Sequence, residues 1–323
     1  MPGDVIDLCI GWGPWPGEHF LDYLVRYAAV RSLTCVVCTD TNVHSLIKAC
    51  ESGRRRILVH LDTLAAYEED PSDPYHRLNY AAKDGGALVV NEPDHSKLGV
   101  NKAVIHYHFE RARIPLPRTI VVRNWEPSTF RLTPAERTRL GRPFIGKPAR
   151  GYGKRGVIRL YEGTAPEIAR ARRFDRGDDF LLQELVEPEW LGGRRGWFRI
   201  YFVMGEVIPC WWDNRTEHFF PVTVDEFHRF ALDPLCRIVS RVARLTHMTF
   251  FSTEFAVVRR GSRRRFLAID YVNDPCDMTV QSRSHSGVPD AIVLHIAERL
   301  VDTAWRIRKG LGPFKGTSLW FAD

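Results

Sequence analysis

The sequence predicts an α/β region with a parallel sheet over residues 1–95, followed by α+β segments. Three observations predict it. Short apolar runs alternate with helix-period segments through the first ninety residues, a glycine-rich segment lies between two β-type runs at 144–161, and two late strands carry carboxylates inside apolar runs. With 323 residues, 44% hydrophobic and 26% charged, the chain can bury a full core in two domains or in one body of two or three lobes. The mean hydropathy is -0.25.

Element by element, residues 5–10 form an apolar run, 18–29 show helical spacing, 34–38 form a second strand, 43–50 a helix, 56–60 a strand and 87–90 a last strand. Asn91-Glu92-Pro93-Asp94 reads as a turn, and residues 68–74 as a polar connection. A boundary is expected near residue 95. Residues 101–112 then predict an amphipathic helix ended by Pro115 and Pro117, residues 119–122 a strand, and 133–140 a short helix with Thr133 as its cap and Pro134 in its first turn. No internal repeat or low-complexity tract interrupts this order.

Charge and cysteines exclude some classes. A net charge of +7 raises nucleic acid as a partner, but 38 of the 46 basic residues are Arg, and runs such as Arg54-Arg55-Arg56 and Arg263-Arg264-Arg265 read as exposed turns. An anionic small molecule accounts better for the excess. The seven scattered cysteines fit reduced thiols in the cytoplasm rather than a disulfide framework, and Cys35-Val36-Val37-Cys38 reads as a buried strand rather than a redox or zinc pair. No apolar window has membrane-spanning length, and residues 1–12 carry no basic segment before an apolar one, so neither secretion nor a membrane is expected.

The richest stretch is 144–160. Gly151, Gly153 and Gly156 satisfy GxGxxG, yet a dinucleotide fingerprint must open a helix, whereas residues 157–161 read as a strand. A glycine turn between two strands lets backbone N–H groups approach a phosphate, and Lys147 in the incoming strand, with Arg150 beside the turn, brings positive charge to the same place. The segment is therefore read as a nucleotide-covering hairpin. Residues 180–187 form an apolar strand that turns polar at Gln183, Glu184 and Glu187, as in a connection whose backbone reads an adenine edge and whose acid holds a ribose. A hairpin over 197–208 carries Arg199, which in isolation reads as a surface residue. Residues 253–257 and 266–275 are two further strands bearing Glu254, Asp270, Asn273 and Asp274. Acids within buried strands are costly unless paired or bound to a cation, and hard oxygen ligands suit magnesium shared with phosphates.

Taken in order over residues 91–280, these elements resemble the ATP-grasp superfamily. The resemblance rests on Asn101-Lys102 with the Ile-Pro-Leu-Pro-Arg-Thr that follows the helix, Gly146-Lys147-Pro148 and its glycine loop, Gln183-Glu184, the Arg199 hairpin, and the acidic strands ending in Asp270-Tyr271-Val272-Asn273-Asp274-Pro275. Only eight lysines occur in the chain, and two stand at the two positions this pattern requires. The resemblance implies an α/β segment over 1–95, a central subdomain over 96–180 and a C-terminal one over 181–323, the last two gripping ATP. It implies that Lys102, Lys147, Arg150 and the Gly151, Gly153, Gly156 loop hold the phosphates, Glu184 and Val186 the adenine, and Glu187 the ribose. Arg199 would meet the γ-phosphate, and Glu254, Asp270 and Asn273 would hold Mg2+. The spacing departs from the family: Asp270 and Asn273 are three residues apart, on opposite faces of a regular strand unless a bulge intervenes or Asp274 substitutes.

Two activities follow from the resemblance. The first is an ATP- and Mg-dependent ligase that joins a small-molecule carboxylate to an amine through an acyl phosphate. The second is a kinase acting on a hydroxyl of a polyanion such as an inositol phosphate, for which the Arg excess would supply partners. Residues 211–218 mix aromatics with charges, either as a substrate wall with Arg215 as anion binder and His218 as base, or as an exposed loop. His106 and His108 are read as structural. Gly11 through Gly17, after the first strand, lie where an open parallel sheet places ligands and are expected to border the substrate pocket.

Overall fold

The structure is a computed structural model that describes residues 4–11, 17–62, 72–151 and 153–322. Two compact units divide the chain, and both are discontinuous in sequence. One comprises residues 1–97, 198–253 and 273–323, the other residues 98–197 and 254–272.

The first unit opens as strands and helices in alternation: β1 (Asp4–Gly11), α1 (Glu18–Val30), β2 (Cys35–Cys38), α2 (Val43–Glu51), β3 (Arg55–Asp62), α3 (Pro74–Asp84) and β4 (Leu88–Val90). The strands form a parallel sheet in the order β2-β1-β3-β4. From Ile6 onward β1 is buried without interruption, the mark of a strand covered on both faces, and this is why its sequence is an apolar run rather than an alternation. Helices α2 and α3 pack Val43, Leu46, Ile47, Leu78 and Ala82 against Ile6, Cys9, Ile57 and Val89. Cys35 and Cys38 carry free thiols that burial pushes up to about 11 and about 12, so neither is a ready thiolate.

Helix α3 begins at the end of the stretch read as a polar connection over residues 68–74, of which 68–71 lie outside the described residues. Asp73 caps it by accepting from Tyr75 N at 2.7 Å and His76 N at 3.3 Å, and Pro74 occupies the first turn, where its missing N–H costs nothing. The turn read at residues 91–94 is corrected for the same reason: Pro93 begins α4 (Pro93–Val100), with Asp94 in its first turn.

The second unit is built from α5 (Lys102–Arg111), β5 (Thr119–Val122), α6 (Pro134–Leu140), β6 (Phe144–Pro148), β7 (Ile158–Leu160), α7 (Ala165–Ala171) and β8 (Phe180–Glu184). Its sheet runs β5-β8-β6-β7 and is antiparallel throughout. Val122, Leu132, Leu140, Phe144, Leu160, Ile168, Phe180 and Leu182 form its core. Thr133 caps α6 in a complete capping box with Glu136, worth about 1 kcal/mol. Two short strands, β9 (Trp190–Leu191) and β10 (Arg194–Arg195), pair with each other.

Downstream come β11 (Trp197–Val203), β12 (Glu206–Asp213), β13 (His218–Pro221), α8 (Val224–Arg229), α9 (Asp233–Thr246), β14 (Phe250–Arg260), β15 (Arg263–Asn273), α10 (Asp290–Arg308) and β16 (Ser318–Leu319). A further sheet runs β13-β12-β11-β14-β15, with β16 beside β12. Within the first unit, α10 packs on α1, β1 and β3. Among the described residues no helix is long and apolar enough to cross a membrane.

Candidate nucleotide site

The second unit brings two cations and two acids together from four separate elements. Asn101 caps α5, its Oδ1 accepting from Ala103 N and Val104 N at 3.1 Å each, and this fixes Lys102 in the first turn. The Lys102 N–H donates to the Ala149 carbonyl at 2.9 Å, tying the helix start to the end of β6. Lys102 Nζ donates to the Gly151 carbonyl at 2.7 Å and stands 3.5 Å from Asp270 Oδ1. From β6, Lys147 Nζ donates to the Ile269 carbonyl at 2.8 Å and lies 5.4 Å from the centre of the Tyr271 ring. Burial pushes the Lys147 ammonium down to about 8, partly offset by the charges of Asp270 and Glu254 and aided by Lys102. A polyanion arriving here would meet a cation that the protein alone compensates poorly. Glu254, on β14, also accepts from Trp197 Nε1 at 3.3 Å.

Behind these groups lies a buried polar network. Tyr271 hydroxyl and His106 Nδ1 are 2.8 Å apart with their rings stacked, and Gln183 Nε2 reaches the same hydroxyl at 3.4 Å and Thr119 Oγ1 at 3.3 Å. It links α5, which carries Lys102, to β15, which carries Asp270, and to β8. His106 is thus structural, as read; Tyr271 was missed because an aromatic in an apolar strand gives no polar signal.

Strands β6 and β7 pair Phe144 with Leu160, Ile145 with Arg159 and Gly146 with Ile158, so the glycine segment does connect two antiparallel strands rather than opening a helix. Two of its glycines are required by close approach. A Cβ on Gly151 would stand 2.5 Å from Pro148 Cγ, and one on Gly156, whose φ is +73°, would stand 2.6 Å from Phe174 Cδ1. Gly153 faces open space. Arg150 turns to Asp178, its N–H donating to Oδ2 at 2.6 Å and its guanidinium 3.8 Å from Oδ1.

No protein-family model matches the sequence. No curated protein matches it either. Solved structures do match its fold. A RimK-domain ATP-grasp protein from Sphaerobacter thermophilus aligns over 91% of this chain and 98% of its own at 17% identity and a TM-score of 0.58. The D-alanine–D-alanine ligase from Bacillus anthracis, complexed with ATP, aligns over 96% and 100% at 14% identity and a TM-score of 0.63. The ATP-grasp ligase PsnB, complexed with minimal precursor, Mg and ADP, aligns over 93% and 98% at 14% identity and a TM-score of 0.60. The chain has the ATP-grasp fold.

Within this fold the remaining expected residues are placed as follows. Glu184 ends β8, but its N–H donates to the Arg118 carbonyl at 2.8 Å, so that group is taken rather than open to a base. The Glu184 carboxylate accepts from Arg118 N at 3.0 Å and from the Arg260 guanidinium. Val186 is half-buried, and Glu187 is exposed with Arg195 3.4 Å away. Arg199 and Arg215 belong to the first unit. Arg199, half-buried on β11, lies over the rings of Trp212 at 5.3 Å and Phe219 at 5.8 Å. Arg215 is exposed on the turn after β12.

Residues 211–212 correct the exposed-loop alternative for this stretch. Trp211 and Trp212 are 2% and 7% exposed within β12, with Trp211 packed on Phe198 and its Nε1 donating to Glu226 at 3.0 Å. His218 starts β13, with its ring stacked on His285.

Of the expected metal residues, Glu254 and Asp270 lie in the second unit and Asn273, at the end of β15, in the first. Tyr271 and Val272 are both buried between the half-covered Asp270 and Asn273, so the period-two burial of a regular strand breaks where the spacing departs from the family. Asn273 Nδ2 is buried without a hydrogen-bond partner. Asp274, the alternative, is buried and accepts from Ser96 Oγ at 2.5 Å, and burial raises its carboxyl to about 7, which is the environment of a structural acid. Among the described residues no three His, Cys, Asp or Glu side chains form a metal-holding group; the expected set is two carboxylates and one amide. Residues 12–16, part of the segment expected to border the substrate pocket, and Tyr152 lie outside the described residues.

Proposed function

We propose that this protein is an ATP-dependent ligase that joins a carboxylate to an amine. The observation that carries the reading is the convergence of Lys102, Lys147, Glu254 and Asp270 beside the glycine hairpin. The Lys147 ammonium is buried and pushed below its ordinary range, so phosphates beside it would favour its charged form, and the two acids offer hard oxygens to the Mg2+ that accompanies them. Lys102 and Lys147 would hold the phosphates, with Arg150 and the Gly151, Gly153, Gly156 turn over them and Arg199 at the γ-phosphate. The connection at Glu184, Val186 and Glu187 would take the nucleoside, with contacts other than the Glu184 N–H. Glu254, Asp270 and Asn273 offer hard oxygens suited to Mg2+, which supplies charge neutralisation for the phosphates. The ligases among the similar folds support this reading.

The chemistry needs positioning and charge rather than a nucleophilic side chain. A substrate carboxylate oxygen bonds to the γ-phosphorus as the bond to ADP breaks. The amine then attacks the acyl carbon, inorganic phosphate leaves, and the amine's proton passes to solvent. Arg215 would meet a substrate carboxylate or phosphate from its exposed turn. Hydroxylamine trapping tests the reading: with ATP, Mg2+ and pools of carboxylic acids, hydroxamate and inorganic phosphate should form together. Transfer of labelled γ-phosphate to a polyol or inositol phosphate, with no free phosphate, would replace the ligase by a kinase.

A further inference from the structure

Three consecutive residues of β15 meet the two lysines of the second unit. The Ile269 carbonyl accepts from Lys147 Nζ at 2.8 Å, Asp270 Oδ1 stands 3.5 Å from Lys102 Nζ, and the Tyr271 ring centre lies 5.4 Å from Lys147 Nζ. Among the described residues that carbonyl is the one hydrogen-bond acceptor of the Lys147 ammonium, and no acid forms an ion pair with it. Asp270 and Glu254 favour its charge from beyond ion-pair distance, and Lys102 opposes it. An ammonium has three N–H donors, so two remain. The negative face of an aromatic ring attracts a cation most strongly where water is excluded, and Tyr271 is fully buried.

The ring is held from its far end. Burial pushes the Tyr271 hydroxyl above its ordinary range, so it keeps its proton and can donate. Burial lowers the pKa of His106, so its imidazole is neutral and carries a single N–H. Glu110 Oε1, 3.4 Å from Nε2, draws that proton to Nε2. Nδ1 is left to accept from the Tyr271 hydroxyl at 2.8 Å, and Gln183 Nε2 reaches the same oxygen at 3.4 Å. The Phe109 ring packs beside it, with centroids 5.3 Å apart. His106 lies one turn after Lys102 on α5, so these bonds set the ring relative to the helix that carries the other lysine. We propose that Tyr271 is a positioning residue of the nucleotide site: its ring face steadies the charged Lys147 ammonium with two N–H donors left for phosphate, and its hydroxyl, keyed to His106 and Gln183, sets the ring. The role toward phosphate rests on the ATP reading of the site, whereas the hold on the ammonium does not.

The test separates ring from hydroxyl with two replacements of nearly the same shape in the whole protein: Tyr271→Phe, and Tyr271→pentafluorophenylalanine, whose ring face no longer attracts a cation. Lysine side-chain NMR with EDTA and no nucleotide follows the Lys147 amine, identified by its absence from Lys147→Met. Tyr271→Phe should lower the unfolding midpoint, because the hydroxyl's bonds are lost, and leave Lys147 titrating as in wild type. Tyr271→pentafluorophenylalanine should unfold at a similar midpoint but titrate Lys147 lower by about one pH unit. With that charge diminished, calorimetry at pH 7.5 should show Mg-ATP binding roughly threefold weaker than in Tyr271→Phe. Equal titration of Lys147 in the two variants, or the same fall in Tyr271→Phe, would overturn the hold of the ring on the ammonium. Equal Mg-ATP affinity in the two variants would overturn its role toward phosphate. If Lys147 responds as expected and Mg-ATP does not bind wild type, the ring's hold is supported and the ATP reading is what fails.

Discussion

Replacing Lys147 by Met separates what the site does for function from what it costs the fold. The ammonium is buried and pushed from its ordinary 10.5 down to about 8. At about 1.4 kcal/mol per pH unit, keeping it charged costs the folded state about 3 kcal/mol at pH 7. The sign follows from the two states: the unfolded chain keeps this proton up to pH 10.5, whereas the folded one releases it above about 8. The cost is therefore fully present below pH 8 and is relieved as pH rises toward 10.5. Lys147→Met removes it and forfeits the hydrogen bond to the Ile269 carbonyl, worth about 1 kcal/mol. The variant should be more stable than wild type by about 2 kcal/mol at pH 7, with the advantage gone by about pH 10. Urea unfolding of both proteins from pH 6 to 10, with EDTA and no nucleotide, measures it, and a parallel titration with Mg-ATP should show binding lost. A variant that is less stable at pH 7, or a difference that does not change with pH, would refute the reasoning.

Other outcomes follow from the same geometry. Asp270→Asn and Glu254→Gln should each raise the Mg2+ concentration needed for half-maximal activity by tenfold or more while the proteins stay folded, as seen by circular dichroism, because amides are weaker ligands for a hard dication. Gly156→Ala should destabilise the fold by about 1–3 kcal/mol through the contact with Phe174 and the positive φ. Combining it with Phe174→Ala should recover part of that loss in thermal unfolding. Thr133→Ala should cost about 1 kcal/mol in urea unfolding and leave nucleotide affinity unchanged, since it removes only the α6 cap.

The parallel sheet was legible because its strands are continuous apolar runs, and the rejection of a dinucleotide fingerprint was legible because β7 follows the glycines. Thr133 announced its helix through capping, which depends on local sequence alone, and Pro115 and Pro117 marked the end of the helix before it. Helices α3 and α4 were hidden because Pro74 and Pro93, at helix starts, read equally well as loop punctuation. Trp211 and Trp212 looked like an exposed mixture because charged neighbours follow them, and only the pairing of β12 with β11 and β13 buries them. At the site, the residue types were readable, but the taken N–H of Glu184, the turn of Arg150 to Asp178 and the network around Tyr271 depend on strand pairing and long-range contacts that no local pattern encodes.

The central claim, that Lys147 meets the phosphates of ATP, is tested most directly by the proton balance of binding. At pH 8 the free protein holds Lys147 about half protonated, and phosphates beside it should restore the full charge, drawing in about half a proton. Calorimetry of Mg-ATP binding at pH 8, repeated in buffers of different ionisation enthalpy, reads that uptake. The account predicts about half a proton taken up by wild type, falling to near zero at pH 6.5. Binding of Mg-ATP with no proton uptake at pH 8 would contradict it.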